Sequence, residues 1–242
     1  MGVIPCLRHR QPEHWPKSWN LGDFTGHYDV FDPVPHRAHM RTLAYLRHGD
    51  NVLEVGCSSG ALTGRIAAMG CRVTGIEVRP EAAAKARKFV EQVLVGDVAT
   101  MPLPLPPSSF DAILLIDVLE HLGDPTGALR RLFPLLREGG RIVVAIPNVA
   151  HWSVRLRLLV GRFDYEDSGI LDRTHLRFYT RETARAMLEE AGLDIQETDL
   201  VPDVPLLRFK RALVEANYRV ASLLPGLFSA EFFFVGTPTR NA

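Results

Sequence analysis

The stretch that most constrains this chain is residues 51–64, Asn-Val-Leu-Glu-Val-Gly-Cys-Ser-Ser-Gly-Ala-Leu-Thr-Gly. It reads as a buried strand that ends near Glu54, turns through Gly56 and Gly60, and opens a helix. Glycine permits a tight turn and the close approach of a ligand to the backbone. The first N–H groups of the helix have no intrahelical partner and face whatever lies over the turn. A strand, a glycine turn and a helix in this order commit the chain to an α/β layer arrangement.

The rest of the sequence extends the alternation. Strands are predicted at 51–55, 72–77, 92–96, 110–116, 141–146, 193–199 and 231–237, and helices at 61–69, 80–89, 125–137 and 181–191. Pro35 to Arg47 also has helical spacing. Alternation of this kind gives a parallel sheet covered on both faces. We therefore expect a Rossmann-like, doubly wound fold with seven strands, mostly parallel, and an antiparallel edge strand near 231–237. Gly139-Gly140 is expected to end the fourth helix with a left-handed cap. The whole chain, 1–242, reads as one domain. An N-terminal arm and helix (1–47) precede the sheet, and an insert at 147–180 and a segment at 202–225 are placed to form a lid or an acceptor pocket.

Bulk properties exclude several classes. The 28 basic and 28 acidic side chains balance, so no broad nucleic-acid surface is indicated. Cys6, Cys57 and Cys71 make an odd count without metal-ligand spacing, which fits a reducing, cytoplasmic setting. No apolar run is long enough for stable membrane insertion. The acids at 164, 167 and 172 read as solvated, so no metal site is expected. The oligomeric state is not legible.

Four strands place polar groups at one edge of the sheet, where doubly wound folds bind ligands. After the glycine turn, the second strand ends in Glu77, followed by Val78. An acid about 20 residues past the turn suits a ribose diol. The third strand ends at Asp97 and Val98, and the fourth runs into Asp117. Gly56-Cys57-Ser58-Ser59-Gly60 also satisfies the nucleophile-elbow pattern of hydrolases. That rival leaves the acids unexplained, and the spacing of glycines 56, 60 and 64 does not suit a nicotinamide dinucleotide site.

These motifs resemble those of class I S-adenosylmethionine (SAM)-dependent methyltransferases. The family's first motif is matched by Glu54-Val55-Gly56-Cys57-Ser58-Ser59-Gly60, with Ser58 where many members have glycine. Its ribose-binding acid is matched by Glu77, its adenine-contacting pair by Asp97 and Val98, and its motif after the fourth strand by Asp117-Val-Leu-Glu-His121. The resemblance covers residues 36–200 approximately. It implies SAM as cofactor, held by Tyr28, Glu54, Gly56, Cys57, Ser58, Gly60, Glu77, Val78, Asp97, Val98 and Asp117. Tyr28 enters because relatives often carry a Tyr-Asp pair that folds over the cofactor's carboxylate. Ile146 to Arg155 and Gly169 to Thr180 are similar to segments of bacterial MetW-like and ubiquinone O-methyltransferase-like enzymes. That narrower likeness implies a small-molecule acceptor without naming it; oxygen is the expected site of methylation, with nitrogen and carbon acceptors open. The alternative is a non-catalytic protein of the same fold.

Methyl transfer from a sulfonium is an in-line displacement, and fixing donor and acceptor can remove up to about 7–11 kcal/mol of barrier. A hydroxyl acceptor gains a further 100- to 10,000-fold, roughly, from a base. His121 and His175 are the candidates, one after the fourth strand and one in the insert. Arg155, Arg157, Arg162, Arg173 and Arg177 form either a surface ion-pair network or a recognition site for an anionic acceptor. Leu206 to Leu224 reads as an amphipathic helix packed beside the last strands.

Overall fold

The computed structural model describes residues 37–90, 92–207 and 211–239. Tyr28 and most of the N-terminal arm lie outside them. Helix α1 (Ala38–Ala44) leads into β1 (Asn51–Val55), α2 (Ala61–Ala68), β2 (Arg72–Glu77), α3 (Pro80–Ala86), β3 (Gln92–Val95) and β4 (Phe110–Ile116). Then follow α4 (Pro125–Leu132), β5 (Leu136–Pro147), α5 (Trp152–Leu159), α6 (Arg181–Ala191), β6 (Leu193–Pro202), α7 (Val214–Leu223), α8 (Pro225–Phe228) and β7 (Ser229–Pro238).

The seven strands form one sheet in the order β3-β2-β1-β4-β5-β7-β6. The first five are mutually parallel. The antiparallel strand expected at 231–237 is β7, and it lies one place in from the margin, pairing antiparallel with both β5 and β6. β6 is outermost.

Burial explains why β4 and β5 read as unbroken apolar runs. Residues pointing to one face, among them Leu53, Ile113, Leu115, Ile142, Val144, Phe232 and Phe234, pack beneath α4 and α6. Their neighbours Val52, Leu114, Val143, Ala145, Phe233 and Val235 pack against α1 and α2. The period of two is visible in Phe232-Phe233-Phe234, where the middle ring crosses to the opposite layer from its neighbours.

Three expectations change. The fourth helix ends at Leu132 rather than 137, because Pro134 cannot donate and the chain tightens into a 3-10 turn at Phe133–Leu135. Leu136 already pairs with Phe110, so Gly139, with φ 73°, sits in the irregular first part of β5 and caps no helix. α3 stops at Ala86, and the following turn brings Phe89 back onto α2. The insert is not wholly irregular, since it carries α5 with His151 at its N-cap. α7 packs beside β6 as expected, but it begins at Val214 rather than at Leu206. Its buried Asn217 accepts from Val204 N at 2.9 Å and donates to Pro202 O at 3.3 Å.

Candidate active site

A cavity of about 790 Å³ lies over the carboxyl ends of β1, β2 and β4. Glu54, Gly56, Cys57, Ser58, Glu77, Val78, Asp97, Val98, Asp117 and His121 all line it. Residues from four separate strand ends therefore converge, as the topology requires.

The glycine turn is built by the backbone. Gly56 has φ 73°, and a Cβ there would come within 2.7 Å of the Val118 side chain. Ser58 adopts φ 48°, a left-handed conformation that favours glycine. Its N–H donates to Glu77 Oε2 at 2.9 Å, which ties the turn to the end of β2. Glu77 Oε1 accepts from Arg79 N and Nε, both at 3.0 Å, while the Arg79 guanidinium also donates to Ser58 Oγ. The Cys57 thiol is buried against Gly75, and burial pushes its pKa well up, so it is inert packing.

Gly60 behaves differently from expectation. It is absent from the cavity wall. It has φ 92°, and a Cβ there would meet Phe89 at 2.7 Å and the Ala86 backbone at 2.9 Å. Gly64 is crowded by the same ring at 2.8 Å. These two glycines seat Phe89 between α2 and α3.

The acids differ in environment. Glu54 is buried, accepts from Thr63 Oγ1 at 2.6 Å, and is pushed up to about 7 by loss of solvent. Asp97 takes Ala99 N at 2.8 Å, an Asx turn at the end of β3. Asp117 has φ 54°, and its Oδ1 is buried without a hydrogen-bond partner. Burial first, and the Glu120 charge second, raise its pKa well above the carboxylate range.

The two histidines meet. Their rings pack edge to face with centroids 4.7 Å apart. His121 is on the cavity wall. His175 is buried, and only its neighbours Thr174 and Leu176 reach the wall. His175 therefore backs His121 and does not face an acceptor itself. Burial, then the neighbouring His121 charge, lowers its pKa.

Sequence reasoning missed Arg37, Ala38, His39 and Glu231, which also line the cavity. The first three start α1. Glu231 arrives because an antiparallel strand brings its beginning, not its end, to the ligand edge. No described residue of the segment 202–225 lines this wall. Three arginines of the insert form surface pairs, Arg157–Glu166 at 2.7 Å, Arg162–Asp164 at 2.9 Å and Arg173–Asp167 at 2.6 Å, while Arg155 and Arg177 donate to the backbone carbonyls of Ala150 and Gly123. None of the five is on the cavity wall.

A family model described as a methyltransferase domain matches residues 27–198. The chain belongs to the class I SAM-dependent methyltransferases. SAM is its cofactor. Among relatives, this methyltransferase is 30% identical over 186 residues to a ubiquinone biosynthesis O-methyltransferase of Aeromonas salmonicida, covering 73% of this chain and 77% of the relative. A second enzyme of that name, from Xanthomonas euvesicatoria, is 33% identical with the same coverage. A SAM-dependent methyltransferase from Archaeoglobus fulgidus shares the fold at TM-score 0.61 and 17% identity, covering 81% of this chain and 89% of that one. No helix among the described residues is long and apolar enough to cross a membrane.

Proposed function

We propose that this methyltransferase methylates an oxygen of a small-molecule acceptor, and that His121 handles the acceptor's proton. The carrying observation is the hydrogen bonding of His121. Its Nδ1 lies 3.2 Å from the Thr174 carbonyl and 3.1 Å from Thr174 Oγ1. The carbonyl can only accept, and the Thr174 hydroxyl proton is already given to Asp172 Oδ1 at 2.6 Å. The network therefore assigns the proton to Nδ1 and leaves the Nε2 lone pair to act as a base. The names of the two relatives support oxygen as the acceptor atom.

The residues fit the cofactor. An orphaned, buried Asp117 oxygen on the wall suits a ligand with a positive methionine end. The Gly56 backbone admits close approach. Glu77 would take the ribose hydroxyls, with the half-exposed Arg79 guanidinium as the group that yields. Asp97, Val98 and Val78 would hold adenine, and Val78, 60% exposed, has apolar surface to cover. Cys57 and Ser58 would contribute backbone. Glu54 and Gly60 would act indirectly, holding the first turn of α2 and its packing. The cofactor supplies an electrophilic methyl on sulfur. The protein's part is to orient the acceptor, exclude water with Leu176 and the insert, and accept one proton at His121.

The test is calorimetric titration with S-adenosylhomocysteine, followed by mass spectrometry on a panel of phenols, aliphatic alcohols and amines. Methylated hydroxyl products that vanish in His121→Ala support the reading. Turnover of amines alone, or turnover of phenols undiminished in His121→Ala, overturns it.

A further inference from the structure

The crossover from β3 to β4 lacks what holds the other parallel crossovers. β1, β2 and β4 are each followed by an α-helix before the next strand, the usual way to join parallel strands. Residues 96–109 contain Pro102, Pro104, Pro106 and Pro107, which cannot donate, and they form no helix. Yet Gly96, Asp97, Val98 and Ala99 of this crossover line the cavity. A binding surface on such a loop must be fixed by something else.

The loop's own bonds do part of this. Asp97 O accepts from Thr100 N at 3.1 Å and from Met101 N at 2.8 Å, and Asp97 Oδ1 accepts from Ala99 N. Met101, Leu103 and Leu105 lean on the core. These bonds use N–H groups of the turn and leave the carbonyls of Val98 and Met101 to be satisfied from outside.

Both carbonyls are met by Arg131, half-buried near the end of α4. Its Nη1 donates to Val98 O at 2.9 Å, and its Nη2 donates to Met101 O. The hydrogen bonds it makes among the described residues all go to this one loop. A guanidinium presents its donors in a rigid fork, so two bonds fix the spacing of the two carbonyls as well as their place. Its charge makes each bond stronger than a neutral one. Arg130, about 100° round the helix, grips the other side, donating to Glu190 O at 2.7 Å and Ala191 O at 3.4 Å at the end of α6. Leu129 and Leu132 bury a further face of α4 in the core. α4 is thus anchored to the sheet and to α6, and Arg131 extends that anchorage to the loop.

We propose that Arg131 is a positioning residue for the adenine end of the cofactor, holding the Asp97–Ala99 turn in its binding shape before the base arrives. The inference rests on the placement of adenine at Asp97 and Val98 proposed above. Arg131 is not on the cavity wall, so it acts through the loop and touches no cofactor atom. A released loop would carry the same side chains, but the entropy of ordering it would then oppose binding. Affinity that depends on the base should fall, while contacts to the ribose and the methionine end stay with β1, β2 and β4.

The test is calorimetry on wild type, Arg131→Met and Arg131→Lys with two ligands. One is S-adenosylhomocysteine, and the other is S-inosylhomocysteine, in which oxygen replaces the 6-amino group of the base. Wild type should prefer the adenosyl compound by roughly 10-fold, the scale of one good hydrogen bond. Arg131→Met should bind S-adenosylhomocysteine about 10- to 100-fold more weakly and the inosyl compound with a clearly smaller loss, so that the preference collapses. Lysine keeps the charge without the fork, so Arg131→Lys should fall between. Equal losses for both ligands would make Arg131 a general stabiliser and overturn the proposal, as would unchanged affinities. Wild type that binds both ligands equally overturns the adenine placement and the proposal with it. A wild-type preference that survives in the variants removes the role of Arg131 alone. If neither variant folds, hydrogen exchange on wild type decides. The Met101 amide should be protected without ligand, and exchange that slows only when S-adenosylhomocysteine is added overturns the clamp.

Discussion

The two halves of the cavity are built on different plans. The half over β1, β2 and β3 is made from consecutive strand ends, each carrying one polar residue: Glu54, Glu77 and Asp97. The half beyond β4 is assembled from segments far apart in the chain, namely the start of α1, the turn at Asp117–His121, the insert at Thr174–Leu176, and Glu231 at the head of β7. It works through side chains, and two of them, His121 and His175, come together only through the fold. On the reading proposed above, one half holds the cofactor and the other selects what is methylated, so one can remain constant while the other is rebuilt.

Four substitution or titration experiments would break or sharpen that division. The largest effect is expected at His121. His121→Ala should lower kcat by about 100- to 10,000-fold for a hydroxyl acceptor in the base-dependent reaction. Affinity for S-adenosylhomocysteine should be nearly unchanged, and a large loss would show that the halves are not separable. Glu77→Ala should do the reverse. Charged hydrogen bonds are worth about 1.5–3 kcal/mol each, so calorimetry should show roughly a 10- to 150-fold weaker cofactor product. Acceptor KM at saturating SAM should hold.

Gly60→Ala tests whether that glycine belongs to the cofactor half or only supports it. A side chain there meets both the Phe89 ring and the Ala86 backbone at a positive φ. The expected cost is about 1–3 kcal/mol in chemical denaturation. Folded protein should still bind S-adenosylhomocysteine normally. A selective loss of binding without loss of stability would return Gly60 to the ligand site.

The pH dependence tests the buried acids of each half. Glu54 is raised to about 7 and Glu120 to about 8 in the folded protein. Both ionise near 4.5 when unfolded, so the folded state holds more protons between these limits. Stability should therefore fall as pH rises from 5 to 8, by at most about 1.4 kcal/mol per pH unit for each acid. Denaturation midpoints should show Glu54→Gln flattening the curve up to about 7 and Glu120→Gln flattening it further up, near 8.

Legibility followed the same division. The sheet was readable because β4 and β5 carry unbroken apolar runs, 112–116 and 142–146, that are covered on both faces. Glu77 and Asp97 were readable because each ends its own strand. The helix end at Leu132 was misplaced because the leucines at 135 and 136 continue a helical period, yet Pro134 had already broken it. Glu231 was missed because an antiparallel strand reverses the rule that strands end at the ligand. The role of Gly60 depended on Phe89, whose return could not be read from periodicity. Glu120 was given no role of its own in the motif after β4, since nothing local reveals that the insert covers it.

The position of β7 has a consequence for how the molecule comes into being. β5 and β6 flank a gap that only the last strand fills. During synthesis the chain emerges from its N-terminus, so both strands wait with open hydrogen-bonding edges until residues 229–238 arrive. Open edges of apolar strands are templates for unwanted pairing. The final ten-residue strand, carrying three consecutive phenylalanines, thus acts as a closing key, and chains that end before it should aggregate rather than survive as a smaller enzyme.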